Sequence, residues 1–155
     1  MSPAGGPGEG RGGGGDRWSG AGGHGAPLRL GGDPPSPWEG SYGFSRVVSA
    51  GPFVLVGGTT SVSEDGVVLG ADAYEQTVEI LRKLRHELSR AGAEAGDVIQ
   101  TRVYVTDAAH ADDVGRAHGE VFGAVRPLMT LVEVSGLIDP RMLVEIEAVA
   151  YRGER

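Results

Sequence analysis

The sequence predicts an α+β domain in which two helices cover one face of a sheet. Three observations carry this expectation. Residues 126–134 and 143–150 alternate in the period of two that marks strands. Two stretches, one from Asp72 to Gly92 and one from about Asp107 to Gly123, repeat apolar residues at helical spacing instead. The order of elements, β-β-α-β-α-β-β, places both helices between strands of one sheet.

The first two strands are residues 46–50 and 53–57, and Gly51-Pro52 between them supplies the turn of a hairpin. Glu64-Asp65-Gly66 marks another turn, and residues 67–69 read as a short extended piece. Asp72 followed by Glu75 is a capping-box-like helix start. Tyr74, Val78, Ile80, Leu81, Leu84 and Leu88 then form a stripe, and Gly92 stops the helix. Glu79 and Lys83 are expected to pair on its outer face. Residues 97–106 form the next strand. Thr106 or Asp107 caps the second helix, whose stripe is Val114, Ala117, Val121 and Phe122. Gly115 and Gly119 weaken that helix by about 1 kcal/mol each relative to alanine.

In the last two strands Val132, Val134, Val144, Ile146, Ala148 and Ala150 are expected to face the helices. Met129, Leu131, Glu133, Leu143, Glu145, Glu147 and Val149 are expected on the opposite face. A face that mixes acids with large apolar groups is a poor water surface and a poor core. It suits an interface between subunits with a pocket in it.

Residues 1–37 hold half of the 28 glycines and two-thirds of the 9 prolines, with Leu28 and Leu30 almost the only aliphatic side chains. Such a segment buries too little apolar surface to offset its ordering entropy, so it is expected to be a disordered tail preceding a domain over residues 38–155. It lacks the continuous apolar stretch of a signal peptide. Its charges cancel, so the net charge of −7 falls on the domain, which argues against nucleic acid as a partner. There is no cysteine, hence no disulfide and no thiolate chemistry. No stretch is long and apolar enough to span a membrane, and a cytoplasmic location is expected.

The four histidines, His24, His86, His110 and His118, have no metal-site spacing, so neither metal nor cofactor is expected. Gly12 to Gly15 lacks the Gly-Lys-Ser/Thr of a phosphate loop. No serine has the surroundings of a nucleophile elbow. Glu145 and Glu147 are the sharpest candidates, with two readings open. One is a general acid/base whose pKa is raised by an apolar surround. The other is an interface carboxylate paired with a neighbour's arginine. His118 and Arg116 on the second helix are candidate polar ligand contacts.

From Gly43 to Tyr151 the chain resembles the Rid/YjgF family of reactive-intermediate deaminases. The resemblance is carried by residues 44–48 (FSRVV), 54–58 (VLVGG), 102–107 (RVYVTD), 127–134 and 144–150 (VEIEAVA), in order and spacing. It implies a chorismate-mutase-like α+β fold with a mixed sheet, a homotrimer, and small-molecule clefts between subunits. Active members hydrolyse enamines and imines. They are similar in carrying Pro-Ala-Arg-Ser/Thr, whose arginine grips the substrate carboxylate, and a carboxylate on the last strand. Here that segment is Pro127-Leu128-Met129-Thr130. Met129 stands where the arginine falls, Phe44 replaces a tyrosine, and Gly115 replaces a helix asparagine. Glu145 keeps the carboxylate and Thr130 the small hydroxyl.

The resemblance therefore implies catalysis by Glu145. Phe44, Met129 and Leu131 would form an apolar wall, and Arg116, His118 and Thr130 would orient polar groups. A thioether in place of a bidentate arginine removes the main carboxylate anchor. The expected substrate is a small imine or enamine lacking an α-carboxylate rather than 2-iminopropionate. Arg116, or Arg46 of a neighbouring subunit, is the cation that could stand in. The competing reading is a non-catalytic trimer that binds a small molecule or a protein.

Overall fold

The computed structural model describes residues 17–18 and 25–153. Seven strands form one mixed sheet: β1 (Arg17–Trp18), β2 (Leu28–Leu30), β3 (Val47–Ala50), β4 (Phe53–Thr59), β5 (Val98–Val105), β6 (Leu128–Glu133) and β7 (Val144–Tyr151). Their spatial order is β1-β2-β3-β4-β7-β5-β6. The β5–β6 pair is parallel and every other pair antiparallel. A short α1 (Trp38–Tyr42), a long α2 (Ala73–Arg90) and α3 (Ala111–Phe122) complete the fold.

The α2 helix forms where its capping residues and apolar spacing direct. The Asp72 side chain accepts from the Glu75 amide at 2.8 Å, and Glu75 accepts from the Ala71 amide at 2.7 Å. Gly92 ends the helix at φ 76°, a left-handed turn that suits glycine. The buried face runs through Ala73, Thr77, Ile80, Leu81, Leu84 and Leu88. Val78, expected in the stripe, is exposed instead. Asp107 supplies the start of the second helical segment by accepting from the Ala109 amide, and a 3-10 turn (Ala108–His110) leads into α3. Gly115 and Gly119 face open space, so no close packing explains them.

The core lies between the two long helices and the sheet. Val54 and Val56, Val103 and Val105, and Val144, Ile146, Ala148 and Ala150 meet Ile80, Leu81, Leu84, Leu88, Val114 and Phe122 there. The alternation of β7 therefore holds as expected. That of β6 does not. Parallel pairing aligns Met129, Leu131 and Glu133 with Thr101, Val103 and Val105, whose side chains point at the helices. Leu131 packs on the core, while Val132, expected inside, is exposed. Leu128, Thr130 and Val132 share the open face with Arg102, Tyr104, Glu145 and Glu147. Two alternating strands joined by a loop leave their relative phase unset. The register of β6 on β5 sets it here.

The N-terminal segment also differs from expectation. Leu28–Leu30 pair antiparallel with Val47–Ser49, and Leu30 joins the core. Glu39 then accepts from the amides of Gly32 and Ser36 at 3.0 and 3.1 Å, fixing the chain ahead of α1. The expectation of a tail through residue 37 thus fails over residues 28–37. Apart from the backbone of residues 17–18, its first 24 residues lie outside the described ones.

Candidate functional site

A cavity of about 580 Å³ opens at the end of the sheet. Its walls come from the segment ahead of β3, the end of β4 and the loop after it, α2, and the start of β7. Glu145, Arg46, Lys83, Phe44, Gly58 and Met142 line it.

The geometry starts in β4. Its ladder with β7 jumps between Val56 and Thr59, so Gly57-Gly58 form an irregularity. The Arg46 guanidinium holds that bend from the side. Its Nη1 donates to the Gly58 carbonyl at 2.8 Å and its Nη2 to Thr59 Oγ1 at 2.9 Å. Glu145 fills the space above Gly58, where a Cβ would lie 2.6 Å from its Oε2. Burial pushes the Glu145 carboxyl above its ordinary pKa, and the nearby Glu147 charge adds to this, while Arg46 opposes it.

On α2 the Lys83 ammonium donates to the carbonyls of Thr60 and Val62 at 2.6 and 2.8 Å. Burial, reinforced by the Arg46 charge, lowers its pKa to about 8. The expected Glu79–Lys83 pair is absent because Glu79 binds Arg82 at 2.5 Å. Lys83 instead shares the helix face of the buried Gln76, Ile80 and Glu87. That placement, three and four residues from Ile80 and Glu87, is the sequence signal that points it inward.

The structure brings Glu145 and Phe44 together in the cavity. It does not bring the other expected ligand contacts there within one chain. Arg116 lies on the outside of α3, 3.9 Å over the Tyr74 ring. His118 is buried under α3, where its Nε2 is 2.9 Å from Thr101 Oγ1 and its ring packs on Phe122. Burial lowers its pKa. It is a core histidine, not a ligand contact in this cavity. Met129 and Leu131 lie on the helix side of the edge strand β6, and Thr130 on the open face. Glu147 is on that open face too, accepting from the Tyr104 hydroxyl at 2.5 Å with Arg102 at 3.8 Å. Among the described residues no group of three or more His, Asp or Glu is placed to hold a metal.

A mixed sheet carrying two helices on one face is the α+β architecture of the YjgF-type proteins. The chain belongs to that family: residues 37–152 match the family model described as Endoribonuclease L-PSP, the YjgF/Rid family. It is 45% identical to the protein SCO2049 of Streptomyces coelicolor over 118 residues, covering 76% of this chain and 88% of that one. It is 34% identical to the 3-aminoacrylate deaminase RutC of Acinetobacter baylyi over 99 residues, covering 63% and 78%. The crystal structure of Rv2704, a YjgF/YER057c/UK114 family member from Mycobacterium tuberculosis, superposes with a TM-score of 0.73 at 42% identity, covering 81% of this chain and 99% of that one.

Proposed function

We propose that the protein is a hydrolase of a small reactive imine or enamine, with Glu145 as its acid–base group. One observation carries this reading: the Glu145 carboxyl stands in a cavity, against Gly58, with its pKa raised by burial. Raising a carboxyl pKa moves it toward the protonation balance that general acid–base catalysis needs near neutrality. The carboxylate takes a proton from water as the water oxygen attacks the imine carbon. The acid form passes that proton to the nitrogen, giving a carbinolamine, and a second cycle then moves the hydroxyl proton to the amine as the C–N bond breaks. One water is consumed, one ammonia leaves and a carbonyl remains. An enamine must first take a proton at carbon to become the imine, and the acid form of Glu145 can supply it.

The RutC likeness supports deamination as the reaction class. The side chain of Met129 supports a substrate other than 2-iminopropionate, because no cation stands where such deaminases hold the α-carboxylate. We infer a cytoplasmic homotrimer. Its support is the open sheet face, which exposes Phe53, Leu55, Leu128, Val132 and Tyr151. No helix among the described residues is long and apolar enough to cross a membrane.

The test is Glu145→Gln, assayed with enamines and imines generated in situ and trapped by semicarbazide. Turnover is expected to fall about 100-fold or more. Hydrolysis as fast as that of the unmodified protein, at unchanged assembly, rejects the reading.

A further inference from the structure

We propose that Arg46 and Lys83 form an anion-binding subsite of this cavity, one that takes the carboxylate of a small ligand. The proposal rests on the cavity being the ligand site of the reading above, and it adds what that ligand must carry.

The two cations come from distant parts of the chain, the segment before β3 and the middle of α2. Both close on the same short stretch, residues 58–62. Each spends hydrogen bonds only on neutral acceptors, three carbonyls and one hydroxyl between them. A guanidinium has five N–H donors and an ammonium three, so both keep donors to spare. Neither takes part in any ion pair among the described residues.

The neighbouring acids are engaged elsewhere. Glu79 pairs with Arg82 at 2.5 Å and Glu87 with Arg90 at 2.6 Å. Glu39 is held by the amides of Gly32 and Ser36. Glu145 is the remaining acid beside Arg46, and burial favours its neutral form. The charges of Glu39, Glu87 and Glu145 reach Arg46 and those of Glu79 and Glu87 reach Lys83, but none closes to an ion pair with either cation, so the spare donors of both stay open to an anion. The same cations lie on different elements from Met129, so they do not restore the missing arginine in place. They hold a carboxylate from α2 and the segment before β3.

The ligand class follows from the surroundings. Phe44 and Met142 give the cavity apolar wall, and the arginine fork matches a planar carboxylate. Asp33, Glu64 and Glu145 also reach the cavity, which disfavours a doubly charged group such as phosphate.

The test uses the full chain and two molecules of one shape, crotonate and its neutral amide, crotonamide, titrated near neutral pH by ligand-observed NMR. Crotonate is expected to bind at least about tenfold more tightly than crotonamide. Arg46→Gln and Lys83→Gln should each remove about tenfold of the crotonate affinity and leave that of crotonamide unchanged. Arg85→Gln, on the outer side of α2, should change neither. Equal binding of the two molecules overturns the subsite, and that comparison needs no variant to fold. Crotonate affinity unchanged in both glutamine variants overturns it as well, and so does inorganic phosphate binding more tightly than crotonate. The catalytic reading fails separately. A crotonate preference that depends on Arg46 and Lys83, beside turnover indifferent to Glu145→Gln, keeps the subsite and rejects the hydrolase. Glu145-dependent turnover without a crotonate preference does the reverse.

Discussion

Gly58 and Glu145 face each other so closely that a methyl group on Gly58 would stand 2.6 Å from the carboxylate oxygen. The contact exists because β4 breaks its ladder with β7 between Val56 and Thr59, and Arg46 holds the bend by its carbonyl and hydroxyl. Gly58 therefore fixes where the Glu145 carboxyl can sit. Gly58→Ala must push that flexible side chain aside, while β4 itself is little disturbed. The expected outcome is a fall in kcat of roughly 100-fold, the scale of a misplaced catalytic group. The melting temperature should change little. Steady-state kinetics beside a thermal melt check this. Full activity in Gly58→Ala would show that the carboxyl position does not matter.

His118 gives a prediction of the opposite kind, in stability rather than activity. Its imidazole is buried against Phe122 and shares a hydrogen bond with Thr101, which is itself fully buried. Thr101→Val leaves a ring nitrogen unpartnered in the core, at a cost of about 1–3 kcal/mol. The pH dependence follows from the sign of the shift. Burial holds the folded-state pKa below the ordinary 6.5, so the unfolded chain takes up the proton first. Stability contributed by neutral His118 is then present at high pH and lost as pH falls below about 6.5. Urea titrations at about pH 7.5 and about pH 5.5 should show this loss in the unmodified protein and a smaller one in His118→Leu. Equal losses in the two proteins would show that His118 does not titrate with folding.

Much of the frame was legible because it rests on local pattern. The α2 cap at Asp72, its stop at Gly92 and the inward side of β7 each follow from a few neighbouring residues. Alternation singled out Glu145 and Glu147, and the resemblance to the Rid/YjgF family chose Glu145 between them and added Phe44; both line the cavity. What was misread depends on partners far away in sequence. Met129 and Leu131 face the helices because β6 runs parallel to β5 in one register, and no residue of β6 declares that register. Leu28–Leu30 form a strand only because Val47–Ser49 offer an edge, which outweighs a glycine-rich composition. Lys83 turns inward because the chain at residues 60–62 presents carbonyls to it while Arg82 takes Glu79. Alternation fixes which residues share a face within a strand. It does not fix which face.

The corrected phase of β6 sharpens what the open face should do. Leu128 and Val132 now join Leu55, Phe53 and Tyr151 there, with Leu128 72% and Val132 42% exposed. The acids on that face are already served in part, Glu147 by the Tyr104 hydroxyl and Arg102. A single chain would leave these side chains in water, and soluble monomers rarely expose contiguous apolar patches. Leu55 sits on β4 opposite Val149, away from the edges of the sheet. A carboxylate there costs a monomer little, because the side chain already reaches solvent. In an interface the same carboxylate is desolvated without a partner, at several kcal/mol per copy. Leu55→Glu is therefore expected to keep the far-UV circular dichroism of the unmodified protein and to sediment as a monomer at micromolar concentration, where the unmodified chain is expected to sediment as a trimer. An unmodified chain that sediments as a monomer sinks the interface. A Leu55→Glu variant that remains trimeric places the interface on another surface.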